Sequence, residues 1–142
     1  MPYWRLFYHA VWSTKDRQPL IDPAWEKDLY GYLWGKTTAL ECISHAINGM
    51  TDHMHIVLSI SPRLSVAAII GQLKGASSHH IYEQYPDGAF AWQAEYSVFT
   101  ISESALDKVV RYVNMQKQHH ANGTLIEQLE AAPDYPPVSL GK

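Results

Sequence analysis

Apolar positions along the chain switch between a two-residue and a three-to-four-residue rhythm, and the switches delimit the elements. From Tyr3 to Trp12 the residues are mostly aromatic or branched, which predicts a strand that the polar stretch Ser13 to Gln18 leaves. Asp22-Pro23 then reads as a helix start, with Asp22 as N-cap and Pro23 at the first helical position. Trp25, Leu29, Tyr32, Leu33, Lys36 and Leu40 recur at helical steps and predict one buried face to about Leu40. Cys42 to Ile47 and His53 to Ile60 read as two strands that pair antiparallel, with Asn48-Gly49 as a hairpin signal lengthened by Met50 to Asp52. Ser65 caps a second helix whose stripe is Val66, Ile69, Ile70, Leu73, Ser77, His80 and Ile81, ending near Pro86 and Gly88. Trp92 to Ile101 is a fourth strand. Ser104, with Asp107 as a weak capping-box partner, opens a third helix with the stripe Leu106, Val109, Val110 and Val113, which Gly123 stops. A short helix near Leu125 to Ala131 and the proline-rich Pro133 to Pro137 read as an arm.

The order strand, helix, strand, strand, helix, strand predicts an α+β fold of the ferredoxin-like βαββαβ type, an antiparallel sheet with two helices on one face and an added C-terminal helix. The other face then needs the third helix, a partner chain or a ligand to cover it. A length of 142 residues suits one compact core, so the expectation is a single domain over 1–142, with a core at 1–122 and a C-terminal arm at 123–142.

Composition narrows the class. At 46% hydrophobic and 18% charged the chain is too apolar for intrinsic disorder. No apolar run approaches the ~20 residues of a membrane span, and Arg5 and His9 interrupt the opening segment, so the expectation is a cytoplasmic protein without a membrane partner. Cys42 is the single cysteine, which excludes an internal disulfide and any cysteine cage for zinc or iron–sulfur. The net charge of -3 argues against nucleic-acid binding by bulk charge, whereas eight histidines and five tryptophans offer metal ligands and stacking surfaces.

The chemistry concentrates in Asp52-His53-Met54-His55-Ile56-Val57-Leu58. Strand side chains alternate faces, so His53 and His55 share one face while Met54, Ile56 and Leu58 take the other. Two such imidazoles can share a divalent ion, or they can be a chance pair on a wet sheet face. Tyr112 and Gln116 stand one helical turn apart at the flank of the third helix's apolar stripe. If that stripe packs on the open sheet face, both arrive beside the histidines. Gln116 then offers a neutral oxygen as a third metal ligand, and Tyr112 a nucleophile that needs a cation's help at neutral pH. Taken singly, Tyr112 also reads as an interface tyrosine and Gln116 as an exposed helix former.

The segments DHMHIVLSI, LSVAAIIGQLKGASSHHI, WQAEYSVFTIS and LDKVVRYVNMQKQHH, taken in order from about Tyr8 to His120, resemble the single-tyrosine HUH transposases of small bacterial insertion sequences and their relatives associated with repetitive extragenic palindromes. The resemblance implies a ferredoxin-like fold, with His53, His55 and Gln116 as ligands of Mg²⁺ or Mn²⁺ and Tyr112 as nucleophile. It further implies cutting and rejoining of single-stranded DNA at hairpin-marked ends through a 5′-phosphotyrosine link. Members act as homodimers whose tyrosine can serve either subunit.

Other residues keep two readings. Lys15, Arg17, Arg63, Lys74, Lys108, Arg111 and Lys117 are phosphate contacts or a solvated surface. His79-His80 and His119-His120 resemble ligand pairs, but adjacent helix residues diverge by about a quarter turn, and His119 falls nearer Tyr112 and Gln116. Trp92 and Tyr96 read as core or as a base-stacking platform, and Asp52 as an imidazole-orienting carboxylate or a turn residue. The alternative functions are a non-catalytic single-strand nucleic-acid-binding module on the same sheet and a domesticated copy that has lost mobility.

Overall fold

A computed structural model describes residues 3–131. The predicted Pro133 to Pro137 segment lies outside the described residues. Four antiparallel strands, β1 (Phe7–Ser13), β2 (Ile43–Gly49), β3 (His53–Ser59) and β4 (Ser97–Ile101), form one sheet in the order β2-β3-β1-β4. Two long helices, α1 (Glu26–Ala39) and α2 (Val66–Gln84), pack together on one face. Their Leu29, Leu33, Ile69, Ile70, Leu73 and Ile81 meet Ala10, Trp12, Met54, Ile56 and Leu58 from the sheet in the main core. The predicted ferredoxin-like order is therefore the observed one.

The helix after β4 covers part of the opposite face. Val109 and Val113 of α3 (Leu106–Asn114) pack on Ala46 and Val57 in a second apolar cluster. As a result β3 is buried on both faces, and its His53 and His55 lie under the helix rather than on a wet surface. The β2–β3 hairpin is tight where this matters: a Cβ on Gly49 would run into the His53 carbonyl oxygen and the Met54 Cα.

Several boundaries differ from the sequence expectation, each for a local reason. β1 starts at Phe7, with Tyr3 88% exposed. Helix α1 starts at Glu26 because Asp22 caps a turn instead, accepting the Ala24 N–H at 2.9 Å, while Trp25 is drawn into the core against Tyr85 and Phe90 with a non-helical φ of -128°. Asn48 and Gly49 belong to β2, and the turn falls on 50–52, closed by the Met50 N–H to the His53 carbonyl at 2.9 Å. Ser65 caps α2 as expected, accepting from the Ala68 N–H at 3.2 Å.

Of the stretch from Trp92 to Tyr96 only Trp92 pairs, in an isolated antiparallel bridge with Thr14; the rest is not strand. Lys74, expected in solvent, is buried and donates to the carbonyls of Gln93 and Glu95 at 2.6 and 2.8 Å, taking acceptors that a neighbouring strand would otherwise fill. Trp92 packs edge-on to Trp12 and donates its indole N–H to the Ser77 hydroxyl, a core role.

The predicted third helix is broken in two. Ser104 sits in a 3-10 turn (Glu103–Ala105), and α3 begins without a side-chain cap. At Met115 the backbone departs from helix (φ -101°, ψ 21°), and α4 (Gln116–Asn122) follows, closed by Gly123 in the left-handed region. The Asn48 amide takes the Asn114 carbonyl at the break, and the Lys117 ammonium binds Glu26 Oε2, Asn48 Oδ1 and the Gly49 carbonyl. These bonds moor the end of the chain to the β2–β3 hairpin. A four-residue helix, α5 (Glu127–Glu130), completes the described structure. Among the described residues no helix is long and apolar enough to cross a membrane.

Candidate active site

Alternation along β3 and the packing of α3 bring His53, His55, Tyr112 and Gln116 together within one chain, where the spacing predicts their meeting but leaves open whether it is within one chain or between two. All four are buried, so the exposed readings of Tyr112 and Gln116 do not hold. Gln116 Oε1 lies 3.1 Å from His53 Nε2 and 3.0 Å from His55 Nε2. The Tyr112 ring meets the His55 ring edge to face, with centroids 6.4 Å apart.

Two further groups enter the same space. His120, one turn beyond Gln116, points its Nε2 at Gln116 Oε1 from 2.7 Å. His119, the better candidate on the helix projection, stacks on the Tyr112 ring instead and bonds Thr124. Glu130, from the predicted arm, is 2% exposed and sits at the centre. Its Oε2 accepts the Tyr112 hydroxyl and, at 2.9 Å, the Gln116 amide N–H. Its Oε1 lies 3.3 Å from both His53 Nε2 and His55 Nε2 and 3.4 Å from His120 Nε2. By taking the Gln116 N–H, Glu130 turns the carboxamide so that its oxygen faces the imidazoles.

An outer set of bonds fixes the two strand histidines. Asp52 Oδ1 accepts from His53 Nδ1 at 2.7 Å, which in the neutral ring turns the Nε2 lone pair to the cluster, and Arg17 pairs with Asp52 at 3.4 Å. His55 Nδ1 meets His9 Nε2 at 2.9 Å. Asp52 thus takes the orienting position weighed for it from sequence.

The charges respond to this arrangement. Burial alone would lower His53, yet its bonds to Asp52 and Glu130 outweigh that and raise its pKa to about 9. Burial depresses His55, which has no counterpart of Asp52 beside Glu130, and keeps it low; burial likewise lowers His120 against the pull of Glu130. Glu130 would be pushed up by burial, but hydrogen bonds from His53 and His55 hold it far below the usual carboxylate range. Burial and the bond to Glu130 push the Tyr112 hydroxyl well above its usual value, so it is a bound phenol.

Two side-chain oxygens, Gln116 Oε1 and Glu130 Oε1, thus each lie 2.7 to 3.4 Å from the same three imidazole nitrogens. Ligands about 2.1 Å from a common divalent ion sit about 3.0 Å apart in an octahedron and about 3.4 Å apart in a tetrahedron. The donor set fits a divalent cation both in chemistry and in spacing. Outside it, a hollow of about 350 Å³ lined by Lys108, Arg111, Tyr112, Met115, His119 and Ile126 opens beside the tyrosine, putting two cations where net charge gave no hint of them.

The chain belongs to the IS200-like transposase family, whose pattern matches residues 2–116, a stretch that holds His53, His55, Tyr112 and Gln116 and ends before His120 and Glu130. It is similar to the ISDra2 transposase TnpA of Deinococcus radiodurans, 29% identical over 122 residues, which covers 80% of this chain and 85% of that protein. The transposase for insertion sequence element IS200 of Salmonella typhimurium is also 29% identical, over 131 residues, covering 84% and 82%. Among solved structures, a Deinococcus radiodurans R1 protein named for a transposase superposes with a TM-score of 0.67 at 25% identity, covering 82% of this chain and 95% of that one. A REP-associated tyrosine transposase bound to a REP hairpin has a TM-score of 0.63 at 12% identity, covering 88% and 76%, and at that identity it shares the fold alone.

Proposed function

We propose that this transposase cuts and rejoins single-stranded DNA at hairpin-marked ends, with Tyr112 as the attacking residue and a divalent cation, Mg²⁺ or Mn²⁺, held by His53, His55 and Gln116. The observation that carries the reading is the meeting of the Tyr112 hydroxyl with the two-histidine cluster through a shared carboxylate, Glu130.

The chain's own groups have separable tasks. Lys108 and Arg111 flank the approach to Tyr112 and draw the phosphodiester toward it. As the Tyr112 oxygen forms its bond to phosphorus, its proton passes along the existing hydrogen bond to Glu130 Oε2, and the bond from phosphorus to the departing 3′-oxygen breaks. The departing oxygen takes a proton from solvent, which leaves a 5′-phosphotyrosine and a free 3′-hydroxyl. A second strand's 3′-hydroxyl then gives its proton to solvent as it attacks the same phosphorus, and the tyrosine leaves, taking its proton back from Glu130. The cation, when bound, withdraws charge from the phosphate's non-bridging oxygens, which a phenol of raised pKa needs in an electrophile.

The site as described draws every group from one chain, and the homodimer implied by the family's resemblance would repeat it. Glu130 reaches the cluster from beyond residue 122, so core and arm work as one unit. DNA as substrate agrees with the cytoplasmic setting expected from the sequence.

The deciding experiment incubates the protein with end-labelled single-stranded hairpin DNA and Mn²⁺ and looks for a denaturant-resistant adduct. The adduct is expected to vanish with chelator and in Tyr112→Phe. Persistence in the Phe variant overturns Tyr112 as the attacking residue.

A further inference from the structure

His53, His55 and Gln116 alone would surround a doubly charged ion with three neutral ligands in a buried place. Burying a charge without a counter-charge is costly, and an anionic ligand offsets much of that cost. Asp52 cannot supply it, because its carboxylate is committed to His53 Nδ1 on the far side of the ring. Glu130 can: Oε1 faces the Nε2 atoms of His53, His55 and His120 at nearly equal distances while Oε2 is occupied elsewhere. His53, His120 and Glu130 by themselves bring one ligand atom each within 4.8 Å of one another. Both added groups lie past residue 116, where the family match ends.

We propose that His120 and Glu130 complete the divalent-cation site of this chain, making it a five-donor cluster of three imidazoles, one carboxamide and one carboxylate. The inference rests on the preceding reading of His53, His55 and Gln116 as ligands and adds to it a charge and a third nitrogen. Two consequences follow from ligand chemistry. A cluster with three imidazoles favours Mn²⁺ over Mg²⁺, since Mg²⁺ prefers oxygen ligands and retained water. The α5 segment is held in place by the ion as well as by the bond from the Ile126 N–H to the Tyr112 hydroxyl, 3.0 Å long, so metal loading steadies the segment 124–131.

The test is Mn²⁺ binding to the full chain without DNA, measured by calorimetry, with the visible spectrum of the Co²⁺-loaded protein as a second readout. Glu130→Gln keeps the shape of the side chain, and His120→Ala removes a ring that is only partly buried, so both are checked for an unchanged circular dichroism spectrum. Each is expected to weaken Mn²⁺ by tenfold or more and to alter the Co²⁺ bands; Glu83→Gln, on the exposed face of α2, leaves both as in the unsubstituted protein. Mn²⁺ affinity and Co²⁺ bands unchanged in Glu130→Gln and His120→Ala, with binding lost in His53→Ala, would leave Glu130 as a counter-ion to His53 only and overturn the proposal while sparing the three-ligand reading. Absence of Mn²⁺ and Co²⁺ binding in the unsubstituted protein would overturn both.

Discussion

His9 meets His55 edge to edge, their ring planes within 7° and their centroids 5.1 Å apart, with its Nε2 at 2.9 Å from His55 Nδ1. The pair meets because β1 and β3 are neighbours in the sheet and both residues point to the face that α3 covers. Burial, reinforced by the neighbouring His55, holds the His9 pKa near 3, against an ordinary 6.5. Between those values the unfolded chain takes up a proton that the folded chain refuses, so this group makes stability fall as pH drops through that window, by at most about 1.4 kcal/mol per pH unit. Denaturant titrations from pH 7 to pH 4 are expected to show a shallower loss in His9→Phe. An identical slope in that variant would mean His9 is not the group that responds.

His53→Ala and His55→Ala are each expected to abolish DNA cleavage while hairpin affinity, followed by gel shift, changes less than about threefold, because neither imidazole lines the basic hollow beside Tyr112. Equal loss of binding and cleavage would assign the pair to folding.

Asp52→Ala frees the His53 ring to choose the wrong tautomer and removes the partner that raises its basicity. Mn²⁺ affinity is expected to fall by about 10- to 100-fold, the usual effect of losing a carboxylate behind a ligating histidine. An affinity within twofold of the unsubstituted protein would contradict that orienting role.

Lys108→Gln and Arg111→Gln should each weaken hairpin DNA binding and lower the slope of log affinity against log salt by about 1, as expected for the loss of one phosphate contact. Fluorescence anisotropy across a salt series reads both quantities. An unaltered slope would return these two cations to the solvated surface.

Much of this was readable from residues because the relevant periods are short. His53 and His55 share a face by strand alternation, and Tyr112 and Gln116 by one helical turn, so their meeting needed only the apolar stripe Val109 and Val113 to find the sheet. His120 carried the same signal, one turn beyond Gln116, but the adjacent pair drew attention to His119, which the break at Met115 leaves stacked on the tyrosine ring. Glu130 had no signal of this kind. It arrives through an irregular link after Gly123, and the bond from the Ile126 N–H to Tyr112 that seats it is a tertiary contact with no sequence period. The Trp92 to Tyr96 stretch was misread for the opposite reason: its aromatic content suits a strand, but Lys74 on a distant helix captures its carbonyls.

The bend at Met115 gives the phenol and the carboxamide separate moorings. Tyr112 rides on a segment pressed to the sheet by Val109 and Val113, whereas Gln116 and His120 ride on one tethered by Lys117 to the β2–β3 hairpin. A straight rod would tie both aims to one tilt. With the joint in place, the Tyr112 hydroxyl and the Gln116 carboxamide hang from different supports and are joined where Glu130 Oε2 takes a hydrogen bond from each.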